Sequence, residues 1–415
     1  MRRAQRFCMV TTFYPPYNFG GDGIFIYRLA NELARRGNTV DIIHCRDAFE
    51  FLSDGGKKGD YPNHPNVRVY GLKSWAGFLS PLMTHQTGVP FYKRKTIKEL
   101  FEKNGYDVIH FHNMSLIGIT ALQYGSAVKL YTMHEYWLLC PMHFLWKFNR
   151  EVCRTRNCVI CTVKGKRLPQ FWRYTGLLGK MLRHVDGFIS PSRFSQDKHH
   201  ELGLDIPIRH IPYFFAGNGD QDEIVSGRES ASDTVPYFLF VGRLENIKGL
   251  QNLISVFKKQ SQYNLLIAGE GEYGDVLKEL AEDVYNIKFL GRLDHQKLKE
   301  LYRDAVALIV PSIWYEVFGI IIIESFAMGT PVIVNNMGGM PELIKNSGGG
   351  FIYNNNDELV SIMGKLANNI ELRRELGDRA YQAYQKYYSE DTHIENYLNY
   401  IQELQEKRTA KNRVP

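Results

Sequence analysis

The chain has 415 residues, 44% of them hydrophobic and 23% charged, with a formal charge of +7. That length allows two or three domains of roughly 100–200 residues each, and the balance is that of an ordinary globular protein rather than a disordered chain. No apolar run approaches the roughly 20 residues needed to cross a bilayer, which argues against a helical membrane-spanning protein.

The opening M-R-R-A-Q-R-F-C-M-V-T-T-F-Y-P-P is basic and then apolar, like a signal peptide. Its apolar part is short, however, and meets Pro15-Pro16 without a small-residue cleavage site, so it reads as a first strand, Arg6–Phe13, of a cytoplasmic protein. A Gly-rich loop, F-G-G-D-G at 19–23, leads into a helix that Gly37 ends. Strands are predicted at Thr39–His44, Val67–Leu72, Asp107–Phe111 and Val128–Met133, with helices between them. Such alternation predicts a parallel sheet with crossover helices. His112 and His134 each follow one of these strands; a lone histidine there more often makes a structural hydrogen bond than a functional contact.

Next comes a bunched set of thiols, Cys140, Cys153, Cys158 and Cys161, spaced C-x12-C-x4-C-x2-C. The C-x2-C end is a recurrent zinc half-site, and a cytoplasmic setting disfavours disulfides. A structural zinc is the reading, with two disulfides or partly free thiols as alternatives. Cys8 and Cys45 lie in strands and read as core. The charge is concentrated here: from Cys140 to Phe215 there are 13 Lys and Arg against 5 Asp and Glu, a net of +8. With Trp146, Phe148, Phe171 and Trp172 interleaved, this basic insert (about 138–175) suits an anionic membrane interface or nucleic acid; a solvated face is the plain reading.

The segment Ile211–Ser232 reads as a linker. A second α/β series follows, with strands at Tyr237–Val241, Asn264–Ala268, Ile287–Leu290, Ala307–Val310 and Pro331–Val334. The domains predicted are 1–212, 213–390 and a terminal helix, 391–415, packing back on the first domain. Two doubly wound Rossmann-like sheets in tandem place their crevices outside the carboxyl ends of the strands, and facing them across a cleft would give two substrates a meeting place.

Three loops of the second series carry chemistry. Gly242-Arg243-Leu244-Glu245-Asn246-Ile247-Lys248-Gly249 follows its first strand, and Arg243 and Lys248 suit a diphosphate. Gly269–Gly274 matches G-x-G-x-x-G, but Glu270 and Glu272 would repel a pyrophosphate, and a tight strand-to-helix turn explains it better. E-V-F-G-I-I-I-I-E, Glu316 to Glu324, is read two ways. It is either a core strand with acids at its ends, which four isoleucines favour, or a helix starting near Gly319 and stopping at Gly329. In the helix, the free amides of 318–321 favour an anion while the two carboxylates meet hydroxyls on either flank.

G-R-L-E-N-I-K-G, the E-x7-E pair and the early F-G-G loop together resemble the retaining GT-B glycosyltransferases of family four, over essentially the whole chain. The stretch H-I-P-Y-F-F-A-G-N departs from the Asn-Gly turn many relatives carry there. The resemblance implies a nucleotide-sugar donor on the second domain and a glycan or lipid-linked acceptor on the first, with anomeric configuration retained. By position, Arg243 and Lys248 look like the diphosphate clamp, Glu316 the acid on the sugar hydroxyls and Glu324 the one on the ribose. The backbone of Phe318, Gly319 and Ile320 would take the distal phosphate, and Gly20 and Gly21 would approach it from the first domain. Gly269 would line the crevice, with Arg292 and Leu293 near the base. His112, in preference to His110, looks like the group near the transferred carbon, and His134 like a donor-site or acceptor-side group. No catalytic metal is expected, because the cations and amides stabilise the leaving group in place. Surface-polysaccharide synthesis at the inner membrane face is the implied setting, with no nucleic acid. The rivals are a zinc-containing nucleic-acid binder, which leaves the E-x7-E pair unexplained, and a dinucleotide oxidoreductase using Gly269–Gly274.

Overall fold

The computed structural model describes residues 3–53, 59–217 and 236–413. Residues 218–232 of the expected linker lie outside them. The chain forms two compact units. The first comprises residues 1–191, 196–211 and 394–415, and the second residues 192–195 and 212–393.

In chain order the strands are β1 (Arg6–Val10), β2 (Thr39–Cys45), β3 (Val67–Leu72), β4 (Val108–Phe111), β5 (Val128–Thr132), a short hairpin of β6 (Trp146–Lys147) and β7 (Glu151–Val152), then β8 (Gly187–Ser190) and β9 (Ile208–His210). The first unit's seven-stranded sheet has the order β3-β2-β1-β4-β5-β8-β9, all parallel. Winding goes one way from β1 to β3 and the other way from β4 onward, so the sheet reverses between β1 and β4. Strand β1 stops at Val10, three residues short of the Phe13 expected. Thr11 N still donates to Ile43 O of β2, but the next amide, Thr12 N, turns to Asn113 O at 2.7 Å. The helix after it runs Gly21–Arg35, so Gly21 and Gly23 lie inside its first turn rather than in a loop. Strands β8 and β9 were not anticipated; they have four and three residues, too short for a periodic signal.

The second unit has β10 (Tyr237–Val241), β11 (Asn264–Ala268), β12 (Ile287–Gly291), β13 (Ala307–Val310), β14 (Val332–Asn335) and β15 (Gly350–Tyr353). They form a parallel sheet in the order β12-β11-β10-β13-β14-β15, which reverses between β10 and β13. The unanticipated β15 opens on Gly350, where a Cβ would lie 1.9 Å from Val332 O; only glycine allows that approach. Each unit buries its own core. Val10, Ile109, Phe111 and Trp137 belong to one, and Phe238, Leu250, Phe257 and Ile309 to the other.

The last helix, Glu390–Arg413, supplies residues 394 onward to the first unit. Buried Tyr397 sits against Phe7, with ring centroids 6.3 Å apart, and bonds His110 Nδ1 through its hydroxyl at 2.8 Å. Arg408 Nη1 donates to Ala127 O at 2.6 Å, and Arg209 pairs with Glu403. Among the described residues no helix is long and apolar enough to cross a membrane.

Candidate functional site

The second unit concentrates its polar chemistry where its sheet reverses. The loop after β10 is pinned on both sides by backbone bonds. Leu244 N donates to Glu270 O at 2.9 Å in the loop after β11, and Ile313 N in the loop after β13 donates to Ile247 O at 3.0 Å. Gly249, at φ 75°, closes this loop; a Cβ there would lie 2.0 Å from Pro311 O. Lys248 Nζ meets Glu316 Oε1 at 2.5 Å, with the side chains 20% and 12% exposed. Ser312 Oγ donates to the same carboxylate oxygen at 3.0 Å, and Lys248 Nζ lies 5.4 Å from the Trp314 ring centroid. The backbone of Glu316 is held as well: Gly339 N donates to its carbonyl at 2.7 Å, and a Cβ on Gly338 would strike Glu316 N at 2.4 Å.

Beside this pair the helix Ile320–Ala327 starts from Gly319, at φ 101°, and Gly329, at φ 66°, follows its end. The isoleucine run is therefore helical, and the strand reading is corrected. Ile322 and Ile323 are buried by packing against the sheet, which outweighs β propensity. The amides of Gly319, Ile320 and Ile321 precede any acceptor within the helix. Phe318 is buried and Ile320 half-buried. Glu324 lies on this helix and accepts from Tyr302 Oη at 3.3 Å.

Arg243 is not drawn into the Lys248–Glu316 pair. Its guanidinium is half exposed and bonds Glu245 Oε1 at 2.6 Å, while Glu245 Oε2 is buried without a hydrogen-bond partner. Gly269, at φ 144°, would carry a Cβ 1.9 Å from Gly242 O, and Gly271 one 2.4 Å from Leu244 O. These two glycines are needed because the loops after β10 and β11 touch. That explains the G-x-G spacing without a dinucleotide. Arg292 is exposed and Leu293 half-buried, just beyond β12.

In the first unit, the ends of β4 and β5 bring His112 and His134 together, Nδ1 to Nε2 at 2.8 Å, with the His110 ring tilted against His112, 3.9 Å between ring centroids. His110 is fully engaged, through Tyr397 Oη and through Thr132 Oγ1 at 2.7 Å. His112 Nε2 is buried without a partner. Burial, with His110 and His134 alongside, holds His112 well below the ordinary imidazole pKa, and burial pulls His134 down to about 3. Both rings are thus neutral, and one must donate to the other. If His134 donates, Nε2 of His112 carries a proton and can donate to a ligand oxygen. Gly20 stands as N-cap of the helix Gly21–Arg35, with Asp22 in its first turn 3.4 Å from Asn113 Nδ2.

The four clustered cysteines line a single cavity with Pro141, Met142, Trp146, Lys147 and Asn157. No disulfide joins them, which corrects the disulfide alternative. Of the aromatic residues expected to interleave with cations at a surface, Trp172 is core. Its Nε1 donates to His85 O at 3.0 Å, and Arg173 lies 5.0 Å from its ring. Phe171 is exposed. Sequence reasoning missed Ser312, Trp314, Glu245 and the Gly338-Gly339 turn as parts of the site. The P-S-I-W-Y-E stretch leading into Glu316 and the N-M-G-G-M-P stretch after β14 were the only signals of Ser312, Trp314 and the two glycines, and Glu245 lay inside the G-R-L-E-N-I-K-G motif.

Two family models match the chain. One described as glycosyl transferases group 1 covers residues 222–383, and one described as glycosyltransferase family 4 covers residues 19–214. A glycogen synthase of Mycobacterium tuberculosis is 37% identical over 371 residues, 82% of this chain and 80% of that protein. An O-antigen chain mannosyltransferase C of Escherichia coli is 22% identical over 418 residues, 96% of this chain and 98% of the relative. Among solved structures, Anabaena HepE in complex with UDP and glucose superposes with a TM-score of 0.66 at 18% identity, covering 96% of this chain and 99% of that one.

Proposed function

The chain belongs to the glycosyl transferases of group 1, with the α/β GT-B fold of two Rossmann-like units, and from that premise we propose that it moves a hexose from a UDP- or GDP-sugar to a glycan or lipid-linked acceptor, with retention at the anomeric carbon. The bond from the sugar's anomeric carbon to the phosphate oxygen breaks, and its electron pair leaves with the nucleoside diphosphate. The acceptor hydroxyl forms the new bond from the same face and passes its proton to the departing phosphate. Negative charge grows on the diphosphate and positive charge on the sugar ring. Lys248, the amides of Gly319 to Ile321 and the Arg243 guanidinium offset the first, acting as preorganised donors that need no reorientation during the reaction. Glu316 holds Lys248 and meets sugar hydroxyls; Glu324 meets the ribose. Gly269, Arg292 and Leu293 line the nucleotide site, and His134 orients His112.

The observation that carries this reading is the Lys248–Glu316 pair beside a Gly-started helix at the point where the sheet reverses. The UDP-bound neighbour and the mannosyltransferase relative support a nucleotide-sugar donor and a surface-glycan product.

The membrane part of the proposal rests on an exposed apolar surface of the first unit. Trp75 is 90% exposed and packs edge-on against Tyr92. Phe51 stacks on Phe78, and Leu79, Phe91, Phe171 and Tyr174 are also exposed. With Arg94, Lys95, Lys164 and Arg167 nearby in sequence, this surface suits an anionic bilayer on the cytoplasmic face, where a lipid-linked acceptor would lie. Sedimentation with anionic but not zwitterionic vesicles, weakened by Trp75→Ser, is expected.

A thermal-shift panel of UDP- and GDP-sugars tests the donor. At least one should raise the melting temperature of the wild type and lose that effect in Lys248→Ala. Stabilisation by DNA and by no nucleotide sugar would overturn the enzyme reading.

A further inference from the structure

The glycosyl-transfer reading uses none of the four clustered thiols. They come from three separate pieces of chain. Cys140 lies in the loop after β5, Cys153 directly follows β7, and Cys158 and Cys161 stand three apart on the helix Cys158–Lys164. The fold brings all four to the wall of one small cavity. Residues at i and i+3 share a helix face, so Cys158 and Cys161 meet that wall together.

The surroundings fit thiolate ligands. The amide of Phe148 donates to Cys161 Sγ at 3.4 Å, and backbone groups of Leu145 and Met142 hydrogen-bond Cys140. Amides aimed at sulfur are the outer partners that hold metal thiolates in place. A tetrathiolate of a divalent ion carries two net negative charges, and Lys147, Arg156 and the Arg173 guanidinium stand near enough to act electrostatically on these thiols.

Between 140 and 166 the segment has little regular structure to hold it. Its regular structure is a hairpin of two-residue strands and one seven-residue helix. Five of its non-glycine residues, His143, Leu145, Phe148, Asn149 and Lys166, have positive φ between 50° and 74°. A stretch this short and this unfavourable in backbone gains from a cross-link beside its few buried side chains, and the structure has no disulfide there. As placed, no group of three or more His, Cys, Asp or Glu side chains among the described residues is set to hold a metal.

We propose that Cys140, Cys153, Cys158 and Cys161 bind one zinc ion tetrahedrally, and that this ion is the structural cross-link of the segment between β5 and β8. The chemistry of the donor set, four soft sulfurs and no open position, matches a closed structural site rather than a catalytic one. The ion takes no part in the transfer reaction, so this proposal and the functional one stand or fall separately.

The test uses the full chain purified without chelator. Elemental analysis is expected to find about one zinc per chain, and a thiol-modifying mercurial should release it. Refolding with cobalt(II) in place of zinc should produce the intense thiolate-to-cobalt charge-transfer absorption of a tetrahedral sulfur site. The double variant Cys158→Ser/Cys161→Ser should lose both signals. Circular dichroism and donor-induced thermal shift on that variant show whether the two main sheets remain folded. If the double variant is too poorly folded to use, the wild-type zinc content and cobalt spectrum decide alone. Metal-free wild type with all six thiols titratable after unfolding, or cobalt bound without the thiolate absorption, would overturn the proposal.

Discussion

Lys248→Met is the sharpest perturbation of the candidate site. Methionine keeps an aliphatic stem beside Trp314 and removes only the charge that Glu316 accepts at 2.5 Å. Removing one partner of a fully buried ion pair costs about 3–5 kcal/mol, because the other charge stays desolvated. Here the side chains are 20% and 12% exposed, and Ser312 still donates to Glu316. The cost should therefore be smaller, about 2 kcal/mol. Glu316→Gln should cost about 1 kcal/mol, and the double variant should recover about 1 kcal/mol relative to the sum. In a unit of this size each kcal/mol lowers the melting temperature by about 2–4 °C, so Lys248→Met should melt about 4–8 °C early. Turnover of a nucleotide sugar should fall about 100- to 1000-fold, the usual loss for one preorganised donor to a developing anion. The assays are denaturant unfolding for the cycle and single-turnover transfer for the chemistry. Single-variant costs that add to within about 0.3 kcal/mol, together with turnover within a few-fold of wild type, would refute the idea that this pair organises the site.

Gly249→Ala should destabilise the second unit by at least about 2 kcal/mol and weaken donor binding. The left-handed residue costs about 1–2 kcal/mol by itself, and the new methyl would drive Pro311 away; calorimetry and the donor thermal shift read both effects. The histidines of the first unit should separate by role. His110→Ala, which strips a bond from Tyr397 and Thr132, should lower the melting temperature and leave turnover near wild type. His112→Ala should cut turnover about 10- to 100-fold through lost sugar positioning. Acid should destabilise the fold above the range where carboxylates titrate. His44 and His393 are pulled down to about 4 and His134 to about 3, by burial first in each case. Their folded values lie below the unfolded value near 6.5, so the stabilisation is complete above about pH 6.5 and is lost as pH falls toward 4. By pH 5.5 each histidine has forfeited about 1.4 kcal/mol, and a melting temperature flat between pH 7.5 and 5.5 would contradict the burial argument.

What could be read in advance followed local rules. Alternating apolar runs announced two parallel sheets, and the glycines at 319 and 329 bounded the helix inside E-V-F-G-I-I-I-I-E. The isoleucines alone pointed to a strand; the glycine stops were the better guide because they state backbone conformation rather than average preference. Pairings across long stretches of chain were illegible. Lys248 and Glu316 are 68 residues apart, and both were expected to face the ligand rather than each other. Arg243 found Glu245, a neighbour passed over as part of a motif. Glycines 269 and 271 have the spacing of phosphate-binding residues, but the acids between them pointed to a tight turn, and they lie where two loops touch. Trp172, read as a surface aromatic, is core, because its role depends on His85 from a distant helix. The short strands β8 and β9 carry too few residues for period-two patterning to show.

The first unit is discontinuous, with residues 394 onward returning to it after the whole of the second. During synthesis, then, the ribosome completes the second unit before the first has received its last segment. Until Tyr397 emerges, His110 lacks its phenolic partner and Phe7 its aromatic cover. The nascent first sheet must wait with that flank open, and a message truncated just past residue 393 would yield one finished half and one that never closes.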